Sequence, residues 1–186
     1  MSNASKTGLF RTNLDYNDSP ANYPFGMFSN SVGTIDQPGV IRDDMDANFG
    51  TRYFRFALLD SNTSANVISG DLVNYLSSAL AGAPGNVIAN AVVTTSIANS
   101  AGNDAVAGVA IGNITKGNYG WFQFQGYHPG VNSNSNAVVN NLLISSGTDK
   151  KVSPIAGGNN VSQMLVGTAL ANTASSLTPA RLTMSP

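Results

Sequence analysis

Residues 105–126 read AVAGVAIGNITKGNYGWFQFQG. Two apolar stretches, 105–112 and 119–126, flank a short polar loop, the pattern of a β-hairpin. Side chains alternate across a strand. Val109 and Ile111 therefore share one face of the first stretch, with Gly108, Ala110 and Gly112 on the other, where missing bulk permits close approach by another backbone. In the second stretch Phe122 and Phe124 fall on one face, assigned to the core. Tyr119, Trp121, Gln123 and Gln125 fall on the other, an amphipathic face suited to an interface or a second layer. Lys116-Gly117-Asn118 supplies the positive-φ residues that such a connection needs.

Outward from the hairpin, strand-like runs recur at short spacing. They cover 53–59, 71–76 (DLVNYL, with 77–80 also readable as a short helix), 86–95, 137–145, 161–171 and 180–184. Gly, Pro, Asn and Ser clusters separate them, and 127–136 reads as a loop. Short strands at this spacing predict an all-β body, a small barrel or sandwich, over residues 51–186. Residues 1–50 differ. They are rich in Pro, Asn and Gly, show no sustained period, and carry Phe10, Tyr16, Tyr23, Phe25, Phe28 and Phe49. Disordered tails are usually poor in aromatics. The segment is read as an extended, irregular N-terminal arm that orders by laying those rings on its own body or on a neighbour.

Composition narrows the function. The chain has 186 residues, enough for one domain with a core plus an arm, and a formal net charge of −1. No basic excess points to nucleic acid. Charged residues make up 10%, against roughly 25% in an ordinary soluble domain. All ten acids are aspartate, and Asn, Ser, Thr and Gly dominate the polar positions. A surface so poor in charge suits burial against other chains. There is no cysteine, hence no disulfide and no thiolate metal site. The N-terminus lacks a signal-peptide apolar core and no apolar run is long enough to span a membrane, which predicts a protein made and used without secretion or membrane insertion.

Chemical motifs are sparse. His128 is the only histidine and sits in a predicted loop. With no Gly-x-Ser-x-Gly elbow beside it, a surface role is expected there. The run Asp60-x-Asn62-x-Ser64-x-Asn66 with Asp71 echoes an EF-hand, but Ala65 stands where Gly is required, so an Asx-rich turn is the better reading. Asp43, Asp44 and Asp46 lie close to Arg42, Arg52 and Arg55, which favours ion pairing over a metal. No Walker A or dinucleotide fingerprint occurs. No catalytic residue, metal site or cofactor is assigned.

The hairpin pattern resembles a segment of the head decoration (capsid cement) proteins of tailed bacteriophages. So do the early Gly70-Asp71-Leu72-Val73 and the late VGTAL at residues 166–170. Together they cover roughly residues 68–184. The resemblance implies a virion structural protein on the outer surface of the capsid, made in the host cytoplasm. It would clamp the major capsid protein, commonly as a homotrimer. The arm aromatics, Phe10, Tyr16, Tyr23, Phe25, Phe28 and Phe49, are the expected capsid contacts. Arg52, Arg55, Tyr119, Trp121 and Gln123 are the expected contacts between subunits. The alternative is a head-fibre or adhesive module binding host-surface carbohydrate through Tyr119, Trp121 and Tyr127.

Overall fold

A computed structural model describes residues 41–76, 92–96, 106–155, 164–174 and 176–184; the arm up to residue 40 lies outside them. The described chain is all-β, with ten strands in one continuous sheet. They are β1 (Ile41–Asp46), β2 (Gly50–Leu59), β3 (Leu72–Tyr75), β4 (Val92–Thr94) and β5 (Val106–Ala110). Then come β6 (Tyr119–Asn132), β7 (Leu142–Ser145), β8 (Val152–Ile155), β9 (Leu165–Ala169) and β10 (Leu177–Thr183).

The pairings close the sheet on itself. β2 pairs β4, β4 pairs β3, β3 pairs β5, β5 pairs β6, and β6 returns to β2. Every junction is antiparallel except β2–β4. This five-stranded ring leaves no open edge among its members, the most effective protection against edge-to-edge association. A second circuit runs β6–β10–β9–β7–β8 and returns through a parallel bridge between Ser133 and Val152, backed by the Asn134 N–H to the Val152 carbonyl at 3.0 Å. The molecule is thus two rings sharing one long strand, β6.

Each ring has its own core. Ala57, Leu59, Val67, Val73, Val93, Ala107, Ala110, Ile114 and Phe122 fill the first. Phe124, Val131, Leu143, Val152, Val166, Ala180 and Leu182 lie at the heart of the second. Phe122 and Phe124 are both buried, as their alternation implies, but they serve different cores. Gly108 gives the close approach expected of it: a Cβ there would sit 3.0 Å from the Gln123 carbonyl oxygen, whereas Gly112 faces open space. Gly117, at φ +83°, turns the chain between β5 and β6.

Three readings change. Residues 127–132 continue β6 instead of forming a loop. Pro129 is tolerated because β6 itself bulges there: Ala180 pairs His128 and Thr178 pairs Val131, so Pro129 and Gly130 together oppose the single residue Pro179 of β10. Residues 137–145 are strand only from Leu142, since Asn140 takes φ +69° in a turn. Residues 41–46, taken as arm, form β1, an edge strand antiparallel to β2. The 71–76 stretch is strand, not helix.

A polar seam ties the rings together. The Asp71 carboxylate, 2% exposed, accepts from the Ile68 N–H at 3.0 Å and from Asn132 Nδ2 at 3.0 Å, and faces Lys150 Nζ at 3.4 Å. Lys150 also donates to the Asn66 carbonyl, and its own carbonyl accepts from the Leu72 N–H at 2.9 Å. Removing the carboxylate orphans three donors at once. Asp71→Ala is expected to cost about 2–3 kcal/mol, because Lys150 retains some access to water. Lys150→Ala leaves the two neutral donors in place and is expected to cost about 1 kcal/mol. Urea unfolding of the two variants beside the parent checks both figures.

Candidate interaction surface

Opposite the first core, the outward face of the β2–β6 ladder is aromatic. Phe54 faces Gln123 and Phe56 faces Trp121 in the register, with Leu58 opposite Tyr119. Phe54, Phe56 and Trp121 are fully enclosed and Tyr119 is 7% exposed. Phe56 is tilted against Trp121 at 5.0 Å and stacked on Tyr119 at 5.5 Å. Leu58 and Ile111 pack at the margin. The Arg42 guanidinium lies over Trp121 at 5.7 Å, and Arg52 over Phe54 at 5.5 Å.

Arg52 is also the ion-pairing residue of the β1–β2 hairpin. Directly opposite Asp44, it meets that carboxylate at 3.0 Å and Asp46 at 3.6 Å. Arg55 does not join it. Three residues further along β2, it points to the other side of the strand. There its guanidinium, 5% exposed, lies between the rings of Tyr75 and Phe124 at 5.1 and 5.2 Å. Burial lowers its pKa from the ordinary arginine value.

The structure therefore brings Arg52, Tyr119, Trp121 and Gln123 together on one face and sends Arg55 to the interior. Gln123 is fully buried, its amide Nε2 donating to the carbonyls of Gln125 and Tyr127 at 3.1 and 2.8 Å. Phe49, in the β1–β2 turn, stacks on Tyr127 with ring centres 3.8 Å apart. Phe10, Tyr16, Tyr23, Phe25 and Phe28 lie outside the described residues. Asp60 closes an Asx turn with the Asn62 N–H at 3.1 Å. Among the described residues no three His, Cys, Asp or Glu side chains gather as a metal would need.

His128 departs from its surface expectation. It is 1% exposed inside β6. Its Nε2 meets the Ala110 carbonyl at 3.3 Å, and the Gly130 N–H donates to Nδ1 at 3.2 Å. Those partners together define the neutral tautomer with the proton on Nε2. Bulky apolar side chains are exposed at several places among the described residues, Ile68, Leu165 and Leu177 among them, and two sets share a turn. Ile41, Met45 and Phe49 mark the β1–β2 hairpin; Val138, Val139 and Leu170 mark the tip beyond residue 137, where the Val139 N–H is held by Asn172 Oδ1 at 2.8 Å. Sequence reading passed over this tip because Val138 and Val139 read as strand core. The Asn140 turn that exposes them leaves only an Asn-Asn pair as its trace.

No protein-family model matches the chain, and no curated protein matches it. Among solved structures, the N base of the head fibre protein gp8.5 of bacteriophage phi29 is similar over 70% of this chain and 92% of that one, with a TM-score of 0.46 and 18% sequence identity.

Burial, with the Arg52 charge acting in the same direction, drops the His128 pKa from 6.5 to about 4. Between those values the unfolded chain binds a proton that the folded chain refuses, so stability rises with pH there. The contribution is whole above pH 6.5, falls as pH drops through the window, and is gone below about 4. It amounts to about 3 kcal/mol. His128→Gln is expected to flatten the stability-against-pH curve between pH 6.5 and 4 relative to the parent, read by urea unfolding at each pH. An unchanged slope contradicts the buried neutral imidazole.

Proposed function

We propose that this chain is a structural subunit of a tailed-phage head, a decoration or cement protein that binds the outer surface of the capsid and clamps neighbouring major capsid proteins. The observation that carries the reading is the division of labour among its side chains. The buried charged and imidazole groups Arg42, Arg55, Asp60, Asp71 and His128 each hold the body together through an internal partner. Bulky apolar groups stand outside at the hairpin and at the tip. Contiguous exposed apolar side chains mark association surfaces. The low charge and the amide-rich surface suit a wet, hydrogen-bonded contact. The order of the GDLV, hairpin and VGTAL segments supports the same reading. The chain then acts without catalysis or cofactor, as a homotrimer whose symmetry multiplies each contact.

The carbohydrate platform offered as the alternative has less to stand on. Trp121 is enclosed, Tyr119 nearly so, and Tyr127 is capped by Phe49. Sugar binding would need other rings.

Cryo-electron microscopy of the particle that carries this chain tests the proposal. Density for the two-ring body across junctions of the major capsid protein is expected. Density within a fibre projecting from the head would favour the head-fibre reading, and absence from the particle would end both. In solution the chain is expected to sediment with three chains' mass. Its binding to expanded shells is expected to change by no more than about twofold between low and high salt, since few charges are screened.

A further inference from the structure

β1 is the outermost strand of the sheet, paired with β2 and with no other strand among the described residues. Every second residue of such a strand directs its N–H and C=O away from its neighbour, a template for one more strand. The two faces of β1 differ. Arg42, Asp44 and Asp46 lie on the aromatic side, where Arg42 sits over Trp121 and Arg52 takes both carboxylates. Ile41, Asp43 and Met45 alternate on the other face and are all exposed, Met45 by 80%. Among the described residues, no cation stands within ion-pair distance of Asp43.

The charges along this edge choose its occupant. Two copies joined through β1 about a two-fold axis run antiparallel, and one residue then faces its own copy. With the axis at Arg42, Asp43 or Asp44, like charges meet directly. With the axis at Met45, Asp44 meets Asp46 of the copy. Like charges directly opposite destabilise a strand pair, so a second copy fits poorly. A strand carrying a basic residue between two apolar ones fits well. Its cation reaches Asp43, and its apolar side chains cover Ile41 and Met45. Its intervening residues lie beside Arg42, Asp44 and Asp46, whose charges Arg52 brings to balance, so they are uncharged.

We infer that β1 is a docking edge for an extended segment of another protein, one whose residues alternate apolar, basic, apolar on the face toward Ile41, Asp43 and Met45. The backbone of that segment continues the sheet, and its Lys or Arg pairs with Asp43. The inference goes beyond the proposed function and does not rest on it, because it concerns the chemistry of the added strand and not the assembly that supplies it.

Nuclear magnetic resonance of the isotope-labelled full-length chain tests it, with the blocked peptide Thr-Val-Thr-Lys-Thr-Val-Thr as probe. In the free chain every second amide of β1 is expected to exchange rapidly with solvent. On titration with the peptide those amides are expected to shift and to become protected. The same peptide with Glu in place of Lys is expected to bind about fivefold more weakly or worse. Asp43→Lys is expected to reverse the preference between the two peptides. Should that variant fail to fold, the comparison of the two peptides on the native chain still decides. Four results would overturn the inference: no response of β1 at millimolar peptide, equal binding of the Lys and Glu peptides, an unchanged preference in folded Asp43→Lys, or slow exchange throughout β1 in the free chain, which would show the edge already covered. Shifts of β1 that grow with protein concentration in the absence of peptide would overturn it too, by assigning the edge to a second copy. None of these outcomes depends on binding to a capsid.

Discussion

Everything in this fold hangs on β6 being shared. From Tyr119 to Gln125 it is a stave of the first ring, paired with β2 on one edge and β5 on the other; from Gln125 to Asn132 its ladder partner is β10. A strand that changes partners must bend where it does so, and the irregularities gather there. The β2–β6 register shifts between Tyr53 and Phe54. Gly126 takes φ +94° with its α-carbon so close to β2 that a Cβ would press on the Thr51 carbonyl and Arg52. A non-glycine residue would meet both backbone strain and a clash with main chain, neither of which a rotamer change relieves. Further along, β6 bulges at Pro129 and Gly130 opposite Pro179 of β10.

The bend also explains why the junction is polar. Where one sheet divides into two rings, backbone groups lose regular ladder partners and must find others, since an unpaired buried amide or carbonyl costs as much as a lost hydrogen bond. The Ala110 carbonyl takes both the Gly70 N–H at 2.8 Å and His128 Nε2 at 3.3 Å. The Gly70 carbonyl accepts from the Asn132 N–H at 2.8 Å. Asp71 and Lys150 complete the seam. His128 belongs to this network, and so its protonation bears on the junction between the rings: a charge on the imidazole would turn the acceptor of the Gly130 N–H into a second donor.

How much of this could be read beforehand follows from which signals are local. The hairpin at 105–126 was legible because alternation and a glycine turn are properties of neighbouring residues. β1 was not, because Arg42, Asp44 and Asp46 occupy one face and Asp43 the other, so no apolar alternation marks it. Its charges are those of an edge strand, with Arg52 set opposite Asp44 by pairing. The extension of β6 through His-Pro-Gly was hidden for a different reason. Proline and glycine signal a break unless the strand can bulge past them, and the pairing that accommodates this bulge is with β10, some fifty residues away. β8 likewise carries Pro154, which an outermost strand tolerates. Of the candidate surface, the shared face of Tyr119, Trp121 and Gln123 was legible from alternation. The separation of Arg52 from Arg55 was not drawn from the charge cluster, although it follows from their three-residue spacing along a strand.

The aromatic face and the charge-poor surface are linked by one physical argument. A chain with few charges has little repulsion to keep copies apart, so its apolar surface must be either closed or committed. Ring closure removes the strand edges of the first barrel. The enclosure of Phe54, Phe56 and Trp121 takes an aromatic face out of solvent. Among the described residues, what stays outside includes Met45 and Phe49 on the hairpin and Val138 and Val139 on the tip, with Ile68, Leu165 and Leu177 elsewhere. Small patches on rigid turns hold poorly one at a time and well in symmetric numbers, because each further contact forms at high effective concentration.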